Sequence, residues 1–421
     1  MASSTPPSYQ CEPPEKEPND QERKSGMLCF VDTPVVTYLD VCDDLPSAGL
    51  VCVQWYLQSR SSAFIAELMR RRSPPIHIPW NLRRSIYRSV ILQSVGRKDR
   101  AEFDALAAKP NPMCDDSILR DIHRTHPGRP DLPPALFKIL RAIASKHPSM
   151  GYCQGINFVA AHLWLIHGDL AATFYILDAL LADYRFRMID MYLPTLPRLR
   201  IMTYQLDRLV EAFLPELNRL MRAYKVGAKF YATHWFMTVF SYDLGPCDAG
   251  TPRSKLLLGI WDRFVCDGWG VIIRAALAFL KISEEHLLAT STEEEFLRSL
   301  RTLCGRIKSD DCGRVIDLID FGFRSVQESL LDQLALDVTC DRCSEVKMGE
   351  DGELRIRQRY PEVEHARYGK AQAESLASLV SSFRAWFPWS KSGPEDDRLP
   401  LKGTSADSDS STSSFSEYVI P

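Results

Sequence analysis

The sequence has no apolar stretch approaching the roughly 18 uninterrupted residues that suggest a membrane span; polar and charged residues interrupt its hydrophobic runs. No transmembrane helix is expected. Net charge is nearly absent as well, because 51 Lys and Arg stand against 54 Asp and Glu and leave a formal −3 over 421 residues. Such a balance gives no electrostatic ground for nucleic acid, which asks for clustered basic residues. Residues 1–26, rich in Pro, Glu, Ser and Asp, hold neither the basic nor the apolar region of a secretory leader. A cytoplasmic location is the expectation, with peripheral contact at intracellular membranes as its extension. Twelve cysteines then read as reduced thiols, Cys29, Cys52 and Cys266 among them, rather than as a disulfide framework. Cys340 and Cys343 have metal-like or redox-like spacing, but the further thiols Cys304 and Cys312 make no second pair of that kind. A solvated turn is the preferred reading there over a zinc or redox site, and no metal site is assigned.

Alternating strand patterns are also scarce. From Ile78 onward apolar residues recur three or four apart, in "NLRRSIYRSVILQSV", "PALFKILRAIASKH", "GINFVAAHLWLIHG", "DLAATFYILDALLADY" and "LRIMTYQLDRLVEAFLPELNRLMRAY". "HWFMTVFSYDL", "KLLLGIWDRFVCDG", "VIIRAALAFLKISEEHLL" and "EEFLRSLRTLCGRI" continue the pattern, with short Pro, Gly and Asp punctuation between them. An all-α fold of many packed helices is expected over 76–330, without the fixed period of a solenoid. Residues 1–26 are too polar to offset the entropy of ordering and are expected to be disordered. Residues 27–75 have no assignable pattern. Residues 331–421 are expected to form a charged, then Ser-rich, mostly disordered tail. Within it Leu376, Leu379, Val380, Phe383, Trp386 and Phe387 fall at helical spacing and stop at Pro388, so an amphipathic helix is expected at 370–388. Its preferred partner is the helical domain itself, ahead of a partner groove or a membrane surface.

Two short runs carry the polar chemistry. In "SILRDIHRTHPGRP" the spacing of Ile118, Asp121 and Arg124 brings Asp121 within reach of Arg124 on a helical turn, which Pro127 and Gly128 then end. In "PSMGYCQGINF" Gln154 stands between Gly151 and Gly155 at the mouth of an apolar helix. Taken singly, each has an ordinary explanation: a surface ion pair worth under about 1 kcal/mol, and a capping or solvated glutamine. His123 and His126 flank Arg124 without a legible base role. Cys153 reads as a small buried hydrophobe, because no histidine arrangement around it suggests a nucleophile.

Taken together, "IHIPWNLRRSIYRSVI", "ILRDIHRTHP" and "GYCQGINF" resemble, in order and rough spacing, the three signature motifs of TBC-domain Rab GTPase-activating proteins. The family versions read G-I-P-x-x-x-R-x-x-x-W, I-x-x-D-x-x-R-T and Y-C-Q-G-M. "HWFMTVFS" and "LLGIWDRFVCDGWGVIIRAALAFLK" are similar to its later helices, so the likeness runs from Ile76 to Leu288 and on to about Gln327. His77 replaces the usual Gly, Tyr87 the usual Trp and Ile156 the usual Met, and "DLGPCDAGTPRSK" is longer than the usual connection. The resemblance implies an activator that is not an enzyme in its own right: Arg124 and Gln154 would act in trans on a Rab-family small GTPase in its GTP state. Asp121, Tyr152, Cys153, Gly155, Arg83 and Tyr87 would support them. It implies no cofactor of the chain's own, since GTP and Mg²⁺ travel with the GTPase, and a role in vesicle trafficking. The alternative on the same fold is a catalytically silent Rab-binding scaffold or effector.

Overall fold

A computed structural model describes residue 78 and residues 80–92, 99–339, 343–349 and 354–359. The N-terminal expectations for 1–26 and 27–75 and the amphipathic segment at 370–388 lie outside the described residues.

The described chain is helical from Trp80 to Thr339. The first group comprises α1 (Trp80–Ile91), α2 (Arg100–Ala108), α3 (Pro112–Ile122), α4 (Leu132–Lys146), α5 (Ile156–His167) and α6 (Leu170–Ala182). Apolar residues surround α5 on almost every side, and ten of its twelve residues are buried. A helix apolar all round belongs in the interior, and α5 accordingly packs against α1, α3, α4 and α6. Local signals set the boundaries. Asp99 and Asp169 cap α2 and α6 by accepting from the amides of Ala101 and Ala172 at 2.9 and 2.7 Å, and Gly168 closes α5 in the left-handed region.

The second group comprises α7 (Pro197–Phe213), α8 (Pro215–Ala223), the short α9 (Ala228–Tyr231) and α10 (Thr233–Met237), then α11 (Pro252–Asp267), α12 (Trp269–Leu288), α13 (Glu293–Arg301), α14 (Asp311–Asp317) and α15 (Glu328–Thr339). The long apolar pattern ending in "LPELNRLMRAY" is two helices, because Pro215 has no amide to continue α7. The helical reading of "HWFMTVFSYDL" holds only through Met237; Val239 and Phe240 then take positive φ, 48° and 61°, in a fully buried corner. α11 packs on α1 and α12, which joins the two groups.

Residues 331–339, expected to open the mostly disordered tail, are helical instead. Helix α15 crosses that boundary and is pinned to α7, where Gln205 Nε2 donates to the Leu331 carbonyl at 2.8 Å and Tyr204 donates to Asp337 at 3.0 Å. Strands β1 (Cys343–Met348) and β2 (Leu354–Arg359) follow as an antiparallel hairpin, with Val346 opposite Ile356. β1 lies on α7 and α15, and Val346 is buried there. Charged residues at alternate positions of "CSEVKM" and "LRIRQR" follow the period of two of a half-buried strand, but over six residues each they raise the polarity to that of a charged tail. Cys343 opens β1, and Cys340 lies outside the described residues. No described helix is long and apolar enough to cross a membrane.

Candidate functional site

Arg124 sits two residues past the end of α3, in a turn held by its own amide on the Asp121 carbonyl at 3.1 Å. The local spacing brings its guanidinium onto Asp121 Oδ1. This is not the exposed pair that spacing alone suggests: the Asp121 side chain is 8% exposed and the Arg124 side chain 29%. The turn then folds sharply through His126, φ 50°, and Gly128, φ 94°.

Gln154 occupies the turn that enters α5. Gly155 follows it with φ 109°, a conformation that L side chains rarely adopt, and a Cβ there would stand 3.4 Å from Met237 Cβ. Met237 is in turn fixed by Tyr192, which donates to its carbonyl at 2.7 Å. The strained corner at Val239 and Phe240 follows directly, with Trp261 Nε1 donating to the Val239 carbonyl at 3.1 Å. The glutamine turn is thus backed by an over-determined buried segment. Gln154 is itself half-buried, and among the described residues nothing hydrogen-bonds its carboxamide.

A third side chain joins the turns. Tyr152 donates its hydroxyl to Asp121 Oδ2 at 2.7 Å, while Arg124 holds Oδ1 of the same carboxylate. Burial, then the Asp121 charge, pushes the Tyr152 phenol well above its ordinary value, so it remains a donor. A carboxylate-oriented guanidinium and an unengaged carboxamide therefore flank one Asp–Tyr bridge. Such a pair offers fixed positive charge beside a group that both donates and accepts.

The remaining sequence candidates fall into place around it. Cys153 is half-buried, its thiol pushed up to about 12 first by burial and then by Asp121. His123 is exposed, whereas His126 is buried, packs edge-on against Phe158 at 5.5 Å, and is held neutral by burial, which lowers it to about 4. Arg83 and Tyr87 are not at the turns. Both are buried on α1 and share Asp262 of α11: Arg83 Nε and Nη2 donate to its two oxygens at 2.8 and 2.9 Å, and Tyr87 donates at 2.9 Å. Asp262 was missed by the sequence reading, because no local spacing relates it to partners 175 and 179 positions away.

Comparison with known proteins bears on the family and the fold. Residues 82–288 match the Rab-GTPase-TBC domain family. The GTPase-activating protein GYP5 of Saccharomyces cerevisiae is 33% identical over 185 residues, 43% of this chain and 20% of that protein. Growth hormone-regulated TBC protein 1 of Homo sapiens is 32% identical over 198 residues, 45% of this chain and 56% of that one. The match therefore spans only part of either relative. Among solved structures, the Chlamydomonas flagellar RabGAP TBC domain superposes with a TM-score of 0.50 at 20% identity, covering 74% of this chain and 97% of that one. The Ypt/Rab-GAP domain of Gyp1p superposes with a TM-score of 0.51 at 16% identity, covering 62% and 91%. At those identities the superpositions speak for the fold. Sequence match and fold together establish that this chain, through residues 82–288, belongs to the TBC-domain family of Rab GTPase-activating proteins.

Proposed function

We propose that the chain accelerates GTP hydrolysis by a Rab-family small GTPase in its GTP state, supplying Arg124 and Gln154 in trans. Hydrolysis needs a water held in line with the γ-phosphate and positive charge on the oxygens of the transition state. The Arg124 guanidinium presents planar donors suited to phosphoryl oxygens. The Gln154 amide has the donor and acceptor needed to seat a water against phosphate. The partner brings GTP and Mg²⁺; the chain adds no cofactor. Its place of action is the cytoplasmic face of trafficking membranes, where Rab proteins work.

The observation that carries this reading is the shared Asp121 carboxylate, which engages Arg124 on one oxygen and Tyr152 on the other and so sets the two turns side by side. The test is single-turnover hydrolysis across a panel of GTP-loaded Rab proteins with the wild-type chain, Arg124→Ala, Arg124→Lys and Gln154→Ala. An arginine supplied in trans is worth about 10³ to 10⁵ in rate. Arg124→Ala is therefore expected to lose most of the acceleration, Gln154→Ala likewise, and Arg124→Lys to recover little. Near wild-type acceleration by Arg124→Ala refutes the assignment. A wild-type chain that binds GTP-loaded Rab without accelerating hydrolysis is the silent scaffold instead.

A further inference from the structure

Arg124 and Gln154 lie 30 positions apart in sequence, on separate turns, and the Asp121–Tyr152 bridge ties only one side of each turn. A second connection runs on the other side. The Gly155 amide donates to Asn157 Oδ1 at 2.9 Å, Asn157 Nδ2 donates to Thr125 Oγ1 at 2.8 Å, and Thr125 Oγ1 donates to the Asp121 carbonyl at 2.9 Å. Thr125 and Asn157 are each 2% exposed, and Gly155 is buried.

Donor inventory fixes the direction of every bond in this chain. The Gly155 amide can only donate, so the Asn157 oxygen must face it, and the Asn157 amino group must face Thr125. The Thr125 hydroxyl accepts there, and its single proton is left for the Asp121 carbonyl. Reversing the Asn157 carboxamide would set donor against donor at Gly155. Asp at 157 would offer acceptors to both neighbours, and Val at 125 would take the hydroxyl away from its two partners, the Asn157 amino group and the Asp121 carbonyl; of the common replacements at 125 only Ser keeps it.

We infer that Thr125 and Asn157 are positioning residues that lock the arginine turn and the glutamine turn into one unit. Arg124 is bracketed by Asp121 and Thr125, Gln154 by Tyr152 and Gly155, and each bracket is cross-linked to the other. The consequence rests on the hydrolysis reading above: two groups that must meet one phosphoryl transition state lose about 100-fold when one is misplaced by about 1 Å. Asn157 and Thr125 touch neither phosphate nor water. They act through the backbone of the turns, so they set the rate at saturation rather than the affinity for the GTPase.

The lock has a readout that needs no GTPase. Hydrogen exchange is followed by mass spectrometry on the full chain, in peptides covering residues 118–128 and 150–158. In the wild-type chain the two peptides are expected to open together, with one denaturant dependence. Thr125→Val and Asn157→Asp are each expected to speed exchange in both peptides while the α12 peptide is unchanged. Thr125→Ser, which keeps the hydroxyl, is expected to behave as wild type. With a responsive Rab, Thr125→Val and Asn157→Asp are expected to lower kcat by about 10–100-fold with KM within about 2-fold, and Thr125→Ser to restore it. Independent opening of the two turns in the wild-type chain overturns the inference. So does a variant whose exchange rises only in its own turn, or one that is less stable with kcat intact. A wild-type chain that accelerates no Rab overturns the hydrolysis reading alone, and the exchange data still decide the lock.

Discussion

Replacing Asp262 with alanine is expected to be among the most damaging single changes outside the two turns. The substitution removes a carboxylate with no exposed surface from between Arg83, 2% exposed, and the fully buried Tyr87 hydroxyl. Burial alone disfavours the Arg83 charge, but the Asp262 charge and hydrogen bonds outweigh it and hold the guanidinium above its ordinary value. Without Asp262 that compensation is gone. Breaking a buried pair by deleting one partner is worth about 3–5 kcal/mol, and an orphaned buried hydroxyl adds about 1–3 kcal/mol. The two losses share one acceptor and do not sum. About 5 kcal/mol is the working figure, a third or more of the stability of an ordinary domain. At about 2–4 °C per kcal/mol for a domain of this size, the melting temperature should fall by about 10–20 °C.

A double-mutant cycle separates the ion pair from general damage to the α1–α11 contact. Arg83→Met with Asp262→Leu replaces both charges by apolar groups of similar length, and such exchanges are often near neutral. The double variant is therefore expected within about 2 kcal/mol of wild type, whereas each single variant loses about 3 kcal/mol or more. Tyr87→Phe is expected to lose about 1 kcal/mol. Denaturant unfolding followed by circular dichroism measures all four. A coupling below about 0.5 kcal/mol, or a loss below about 1 kcal/mol in Asp262→Ala, would refute the reasoning.

Two further outcomes follow from other buried groups. His126 and His167 are held neutral by burial, lowered to about 4 and about 3, and His162, stacked on Trp261 at 4.2 Å, is lowered well below its ordinary value by burial and by Arg83. The unfolded chain takes up those protons first, near 6.5, so stability falls as pH drops from 6.5 towards 4. His126 and His167 should each lose roughly 2–3 kcal/mol by pH 4.5. Asp207, which burial raises to about 6, works in the opposite direction and offsets part of the loss. Thermal unfolding between pH 7.5 and 5 should show the decline, and His167→Gln should flatten it; an unchanged slope in that variant would count against the assignment. The second outcome concerns Gly155→Ala, which meets both the positive φ and Met237 Cβ. A loss of about 1–3 kcal/mol is expected, with acceleration of GTP hydrolysis falling further than stability because Gln154 is re-aimed; full activity in a stable variant would exclude the strained turn as its support.

What was legible in the sequence is what is local. Helices announce themselves through spacings of three and four, and the Asp121–Arg124 pair has the same origin, so both were readable residue by residue. The burial of that pair was not, because it depends on Tyr152, which arrives from 31 positions away through the α4 connection. Asp262 lies still further off. Thr125 and Asn157 stood inside the two quoted motifs and drew no role, since a hydroxyl beside a candidate arginine and an amide beside a candidate glutamine are each unremarkable until α5 packs against α3 and brings them to 2.8 Å. The β1–β2 hairpin failed for a different reason: its charges raise local polarity to that of a tail, although Val346 of β1 is buried. Motifs therefore name the groups that could act, while the groups that aim them are set by contacts formed only after the helices pack. Here those contacts converge on Asp121: its side chain takes Arg124 and Tyr152, and its carbonyl takes the Thr125 end of the second connection. One residue at the end of α3 thus belongs to both links, and moving it would disturb the arginine turn and the glutamine turn together.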